Sequence, residues 1–210
     1  MKYKVMIVED QTMPRELFEL RVQSSEHFEV ALSIDNAALT DVYCLRFPVD
    51  LILMDVVTRG GESGLDAAER IKRTFPQIKI IIVTSMPECS YLKRAKEIGV
   101  ESFWYKEEQR ESLLDVMERT MAGESVYPDA TPELQLGLAS SYAFTDRELE
   151  VLREMTGGDT NQEIAERLHM SVATVKTHIL NMLEKTGFKN RTELAVRARE
   201  SGLVILNRKN

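Results

Sequence analysis

Five short apolar runs constrain the fold of this 210-residue chain more than any other feature. KVMIV (4–8), FEVALSI (28–34), DLILM (50–54), KIIIV (79–83) and ESFWY (101–105) recur at regular intervals. Segments with helical spacing of apolar residues lie between and after them. PRELFELRVQSS (14–25) opens with a proline suited to a first helical turn. NAALTDVYCLRF (36–47), GLDAAERIKRTF (64–75), ECSYLKRAKEIG (88–99) and QRESLLDVMERTM (109–121) follow. Strands alternating with helices need crossover connections and hence a parallel sheet. Continuously apolar runs suit a sheet covered on both faces. The pattern predicts a doubly wound, five-stranded α/β domain over residues 1–122.

The pattern then stops. GESVYPDATPELQLGLASSYA (123–143) is rich in Gly, Pro, Ser and Ala and carries no long periodic run, so it reads as a linker. From Phe144 the signals are all helical. Thr145 with Glu148, Thr160 with Glu163 and Asn190 with Glu193 have the spacing of capping boxes, and Ser171 is a further N-cap. Gly157-Gly158 and Gly187 fall where helices should end. Residues 144–210 thus form a small all-α domain of four short helices. The link between the second and third, His169-Met170-Ser171, is the tight connection of a helix-turn-helix.

Composition narrows the class. At 43% hydrophobic and 29% charged, the chain is globular rather than disordered or fibrous. No apolar run approaches the roughly 20 residues that cross a bilayer. The N-terminus passes directly into a short run ended by two acids, without the apolar core or cleavage site of an export signal. Cys44 and Cys89 lack metal-ligand spacing, and reduced, packed thiols in a cytoplasmic protein are expected. His27 and His169 read as surface or packing residues. Residues 1–122 carry 16 basic against 21 acidic side chains, 123–143 none against 3, and 144–210 carry 11 against 10. A neutral second half permits a nucleic-acid partner if its basic residues share one face.

The chemistry of the first half gathers at strand ends. In a doubly wound sheet, functional groups collect beyond the carboxyl ends of the strands, where strand order reverses. Glu9-Asp10 end the first run and Asp55 ends the third. With strand order 2-1-3-4-5, these two strands are neighbours at that point and the three carboxylates converge. Two like charges about 4 Å apart repel by roughly 4 kcal/mol at an effective dielectric near 20, so the cluster needs a cation or a proton. A few oxygen ligands, with room for water and a phosphate, suit Mg²⁺. Thr84 ends the fourth run and Lys106 the fifth. A hydroxyl and an ammonium there can bind the oxygens of a phosphoryl group carried on Asp55. Each residue alone reads as a turn residue, cap or solvated charge. One such group after each of four strands does not.

SVATVKTHILNMLEK (171–185) is the second helix of the helix-turn-helix. Val172, Val175, Ile179, Met182 and Leu183 follow helical spacing and should pack on EIAERL (163–168). The other face carries Thr174, Lys176, Thr177, Asn181 and Lys185, with His178 beside them. A recognition helix reads base edges from its N-terminal part and touches phosphates along its flanks. An amphipathic helix with a solvated polar face would look the same. The runs TDRE (145–148), TNQEIAERL, TVKTH and KNRTEL (189–194) separate the two readings.

On these motifs residues 3–122 resemble the flavodoxin-like receiver domain of two-component response regulators, and residues 144–206 resemble the LuxR-type helix-turn-helix. Together they are similar to the NarL/FixJ type over almost the whole chain. The resemblance implies a phosphoacceptor at Asp55, served by a histidine kinase. It implies Mg²⁺ held by Glu9, Asp10, Asp55 and the backbone carbonyl of Val57. It makes Thr84 and Lys106 a phosphate-sensing pair and places Phe103 at the switch aromatic. It directs Lys176 and Thr177 into the major groove of double-stranded DNA, with Thr160, Asn161, Ser171, Thr174, Asn181 and Lys185 on the backbone. Leu180 stands where some relatives carry a lysine and would favour a thymine methyl. The last helix, about 191–200, is where such relatives pair as homodimers on DNA, although Leu194 and Val196 also suit a core.

Two departures bear on the receiver. After Asp55 the chain reads DVVTRGGESG (55–64), without the usual Met-Pro and one residue longer before the glycine. Glu107 replaces the proline that commonly follows the lysine. Two rival readings follow. One is a receiver-like regulator that works without phosphate. The other is an aspartyl-nucleophile phosphatase of haloacid-dehalogenase type, which needs a second acid two residues after the nucleophile, where Val57 stands.

Overall fold

The computed structural model describes residues 2–106 and 111–204, with Cys89 by its backbone alone; Glu107 and the last six positions of the chain lie outside them. Two compact units divide the chain. Of the described residues, the first holds those up to Ser85 and Tyr91–Ala130, the second Met86–Ser90 and those from Thr131 to Val204.

In the first unit, β1 (Tyr3–Val8), β2 (Phe28–Ile34), β3 (Leu51–Met54), β4 (Lys79–Thr84) and β5 (Ser102–Tyr105) form one sheet in the order β2-β1-β3-β4-β5. All four pairings are parallel, as the continuous apolar runs require. One face carries Val5, Ile7, Leu51, Leu53, Ile81, Val83 and Trp104. It packs on Phe18 and Val22 of α1 (Thr12–Gln23) and on Leu113, Val116 and Met117 of α5 (Leu113–Met121). The alternating residues Met6, Ile52, Met54, Ile80 and Ile82 point to the other face and are equally buried. α3 (Gly64–Thr74) and α4 (Cys89–Ile98) complete the crossovers.

The helix expected over 36–47 is much shorter. Asn36 caps a single 3₁₀ turn at Ala37–Leu39, and α2 spans only Thr40–Cys44. Pro48 disfavours helical backbone at Phe47, and the chain leaves the helix before it.

Within the segment read as a linker, 123–143, both ends are packed. Val126 is buried in the first core, and its carbonyl accepts the Phe103 N–H at 2.8 Å. Gln135–Leu136 (β6) and Ala139–Ser140 (β7) form a small antiparallel hairpin, with Leu136 and Ala139 in the second core. Two-residue strands have no periodicity to detect.

The second unit is helical: α6 (Asp146–Thr156), α7 (Asn161–Arg167), α8 (Val172–Thr186) and α9 (Arg191–Glu200). Thr145–Glu148 and Thr160–Glu163 form reciprocal capping boxes, and Ser171 and Asn190 accept the N–H groups of Thr174 and Glu193. Val175, Ile179 and Met182 of α8 meet Ile164 and Ala165 of α7 in one core with Leu149, Leu152 and Leu194. The α7–α8 turn passes through His169 at φ 53°, the only described non-glycine residue in the left-handed region.

Candidate functional site

The sheet register sets the first site. Val8 of β1 lies opposite Met54 of β3, so Glu9 and Asp55 step off neighbouring strand ends together. The Asp55 N–H donates to the Val8 carbonyl at 2.9 Å, fastening the exit points to each other. One carboxylate oxygen from each of Glu9, Asp10 and Asp55 lies within 4.8 Å of the others. Glu9 and Asp55 are buried, and Asp10 is partly exposed. Lys106, just after β5, is carried toward them by a bond from its own N–H to the Thr84 carbonyl. Its ammonium donates to Glu9 Oε2 at 2.5 Å and to Asp55 Oδ2 at 2.8 Å.

Burial pushes the Asp55 carboxyl up to about 6; Lys106 opposes this and Glu9 reinforces it. Burial acts to lower Lys106, but Asp55 and Glu9 outweigh it and hold the ammonium above its ordinary value. Three hard oxygen donors on two rigid strand ends, their charge only partly met by one ammonium, fit a small divalent cation such as Mg²⁺. Thr84 is fully buried at the end of β4, and Phe103 is buried in β5. The Val57 N–H donates to Asp55 Oδ1 at 3.4 Å.

Three features around the site were not read from the sequence. Arg15 donates to the Glu9 carbonyl at 3.0 Å, and Gln11 N–H to Glu9 Oε1 at 3.0 Å, which together fix the acidic turn. At the tip of the 55–64 loop Gly60 and Gly61 adopt φ 92° and 79°. Just before the tip the loop is tied to the segment that follows β2. Thr58 Oγ1 accepts the Ala37 N–H at 3.0 Å, and Arg59 pairs with Asp35 at 2.8 Å.

The second candidate site is the outer face of α8. Thr174, Lys176, Thr177, Leu180 and Asn181 are exposed there, and His178 is partly exposed. Leu180 is 56% exposed, unusual for a leucine on a helix with a well-filled inner face. The polar groups at the helix starts are stitched locally. Ser171 Oγ and Thr174 Oγ1 lie 2.8 Å apart, the Thr160 hydroxyl serves its capping box, and Asn161 Oδ1 accepts from Arg191 at 2.8 Å.

Lys185 does not join this face. Its ammonium donates to both Glu148 oxygens, at 2.8 and 2.6 Å, and to the Ala143 carbonyl at 2.8 Å. In this arrangement its charge neutralises a buried carboxylate. On α9, Leu194 is fully buried while Val196 is 50% exposed. His27 is a surface residue paired with Glu118 at 3.1 Å.

Comparison with known proteins finds a family for each unit. The family described as response regulator receiver domain matches residues 5–118, more than half of the chain, and that of bacterial regulatory proteins of the luxR family matches residues 142–198. The chain belongs to the response regulators, with a receiver domain followed by a LuxR-type DNA-binding domain.

Its relatives include the response regulator protein VraR of Staphylococcus epidermidis, 33% identical over 211 residues that cover 97% of this chain and 100% of VraR. VraR of Staphylococcus aureus is 31% identical over 209 residues, with the same coverage of 97% and 100%. The fold is similar to that of the two-component response regulator RcsB in its complex with DNA. There the TM-score is 0.62 at 19% identity, over 95% of this chain and 98% of the other. A structure of two RcsB dimers bound to two parallel DNAs gives 0.61 at 18% identity, over 95% and 98%. Among the described residues, no helix is long and apolar enough to cross a membrane.

Proposed function

We propose that this protein is a cytoplasmic transcription regulator switched by phosphorylation of Asp55 from a partner histidine kinase. The observation that carries the reading is the meeting of three carboxylates from neighbouring strand ends, with the Lys106 ammonium bridging two of them. Such a group has no packing role. Its buried charge is costly, and it is held where a phosphoryl group can be received.

Glu9, Asp10, Asp55 and the carbonyl of Val57 would hold Mg²⁺, which when bound supplies positive charge against the phosphoryl oxygens. An Asp55 oxygen attacks the phosphorus of a phosphohistidine. The P–N bond breaks, imidazole leaves, and an acyl phosphate forms. Lys106 then turns from Asp55 to an oxygen of the new group, the Thr84 hydroxyl takes another, and Phe103 repacks.

In the output domain Lys176, Thr177 and Leu180 face base edges in the major groove. Thr160, Asn161, Ser171, Thr174 and Asn181 lie along the phosphates, and His178 flanks them. A homodimer reading two half-sites matches this geometry. The test is labelling with acetyl phosphate in Mg²⁺. Asp55→Ala is expected to abolish it, and unchanged labelling of that variant overturns the assignment.

A further inference from the structure

After α5 the chain turns back along the outer edge of β5 and leaves through Val126 and Tyr127. Val126 is part of the receiver core: its carbonyl accepts the Phe103 N–H at 2.8 Å, and its N–H donates to Ser102 Oγ at 3.1 Å. Tyr127 touches three neighbours at once. Its hydroxyl donates to the Val100 carbonyl at 2.7 Å, in the turn between α4 and β5. The Lys96 ammonium of α4 lies 5.0 Å from the centre of its ring. The Phe103 ring centre is 6.4 Å away, and that of Tyr105 lies 5.0 Å from Phe103. Phe103 is 1% exposed in this arrangement. Burial, with the Glu101 carboxylate adding to it, pushes the Tyr127 phenol up, so it stays a donor at neutral pH.

These contacts all come from α4, from β5 and from the turn between them, and they converge on the last packed residue before the stretch 128–133 that leads to the helical unit. We infer that Tyr127 is a positioning residue that reads the packing of Phe103 and the α4–β5 corner and transmits it to the connecting segment. The inference rests on the phosphorylation reading above, because it takes Phe103 as the group that repacks. The ring of Tyr127 would carry the signal, since Phe103 cannot move within a close-packed site without displacing what lies against it. The hydroxyl would fix the height of that ring against the Val100 carbonyl.

The test is hydrogen exchange read by mass spectrometry on the full chain in Mg²⁺, with and without beryllofluoride as the phosphate mimic. In the wild type, beryllofluoride is expected to protect peptides spanning 9–10 and 55–58 and, in the same step, to change exchange over 124–130. In Tyr127→Leu the first response should persist and the second should vanish. Tyr127→Phe keeps the ring and should retain the second response in part. DNA binding gives an independent readout, using a duplex enriched from random sequence by the beryllofluoride-loaded wild type. The gain in affinity caused by beryllofluoride should shrink by roughly tenfold in Tyr127→Leu, the size of an ordinary coupling between sites.

A full 124–130 response in Tyr127→Leu overturns the inference, as does a wild type whose acidic site responds while 124–130 does not. A wild type with no response at 9–10 and 55–58 overturns the phosphorylation reading itself. If Tyr127→Leu fails to fold, Tyr127→Met carries the same comparison, with loss of the 124–130 response expected and a full response overturning the inference.

Discussion

A β-carbon on Gly64 would lie 1.9 Å from the Asp55 carbonyl oxygen and 2.9 Å from Met54 Cγ. The start of α3 is thus pressed against the backbone of the residue that carries the chemistry, and the Gly64 N–H also bonds the Val56 carbonyl at 2.8 Å. Gly64→Ala must push the two apart. We expect it to lose most acetyl-phosphate labelling and to destabilise the receiver by about 1–3 kcal/mol, the ordinary cost of overpacking. Labelling and a thermal melt on one sample check both. In the sequence the glycine stands only as a spacing marker, because a close approach to a distant backbone leaves no trace in the spacing of residues. Glu9, Asp10, Asp55 and Lys106, by contrast, were legible. Parallel strands buried on both faces announce their ends, and a charge directly after such a run has few places to go.

The two lysines of α8 diverge although their sequence settings look alike. Lys176 is exposed on the outer face, whereas Lys185 is bound to Glu148, 37 residues earlier. Nothing in helical spacing distinguishes them, because a residue on the flank of an amphipathic helix can turn to either side. Lys176→Ala should weaken DNA binding by about 1–3 kcal/mol and relax the base preference at the position it reads, as a binding titration against single-base variants of the site would show. Lys185→Ala should leave that preference alone and destabilise the helical unit by about 1–3 kcal/mol, since it strips partners from a buried carboxylate.

The pH dependence follows from Glu148. Burial acts to raise its pKa, but Lys185 and the Thr145 hydrogen bonds outweigh it and hold the carboxyl below the usual range. A group with a depressed folded pKa contributes stability that is fully present above its unfolded pKa and is lost as pH falls through the folded one. The gap in melting temperature between wild type and Lys185→Ala should therefore be full at neutral pH and close as the solution becomes more acidic than the ordinary glutamate range. Elements were readable to the same degree as their periodicity. The five strands and the four C-terminal helices were, while α2 and the β6–β7 hairpin were too short to show a period.

At the scale of the molecule, the boundary between units lies inside a stretch that looked structureless throughout. Unit one keeps Val126 and Tyr127, and unit two takes Leu136 and Ala139. Exposed Glu133 between them is a natural cut for a glutamyl endopeptidase. The C-terminal fragment should retain its own cooperative melt by circular dichroism, because it carries the core from Leu136 to Val204 intact. At the outer edge of β5, the returning chain caps the Phe103 amide with the Val126 carbonyl. A receiver trimmed after Ala122 would lose that cover and present a bare rim to which a strand of any neighbouring molecule can add. Sedimentation should then find the shorter piece sticking to itself and one ending at Ala130 staying single, so the few residues that look like mere tether also keep this protein from becoming its own template.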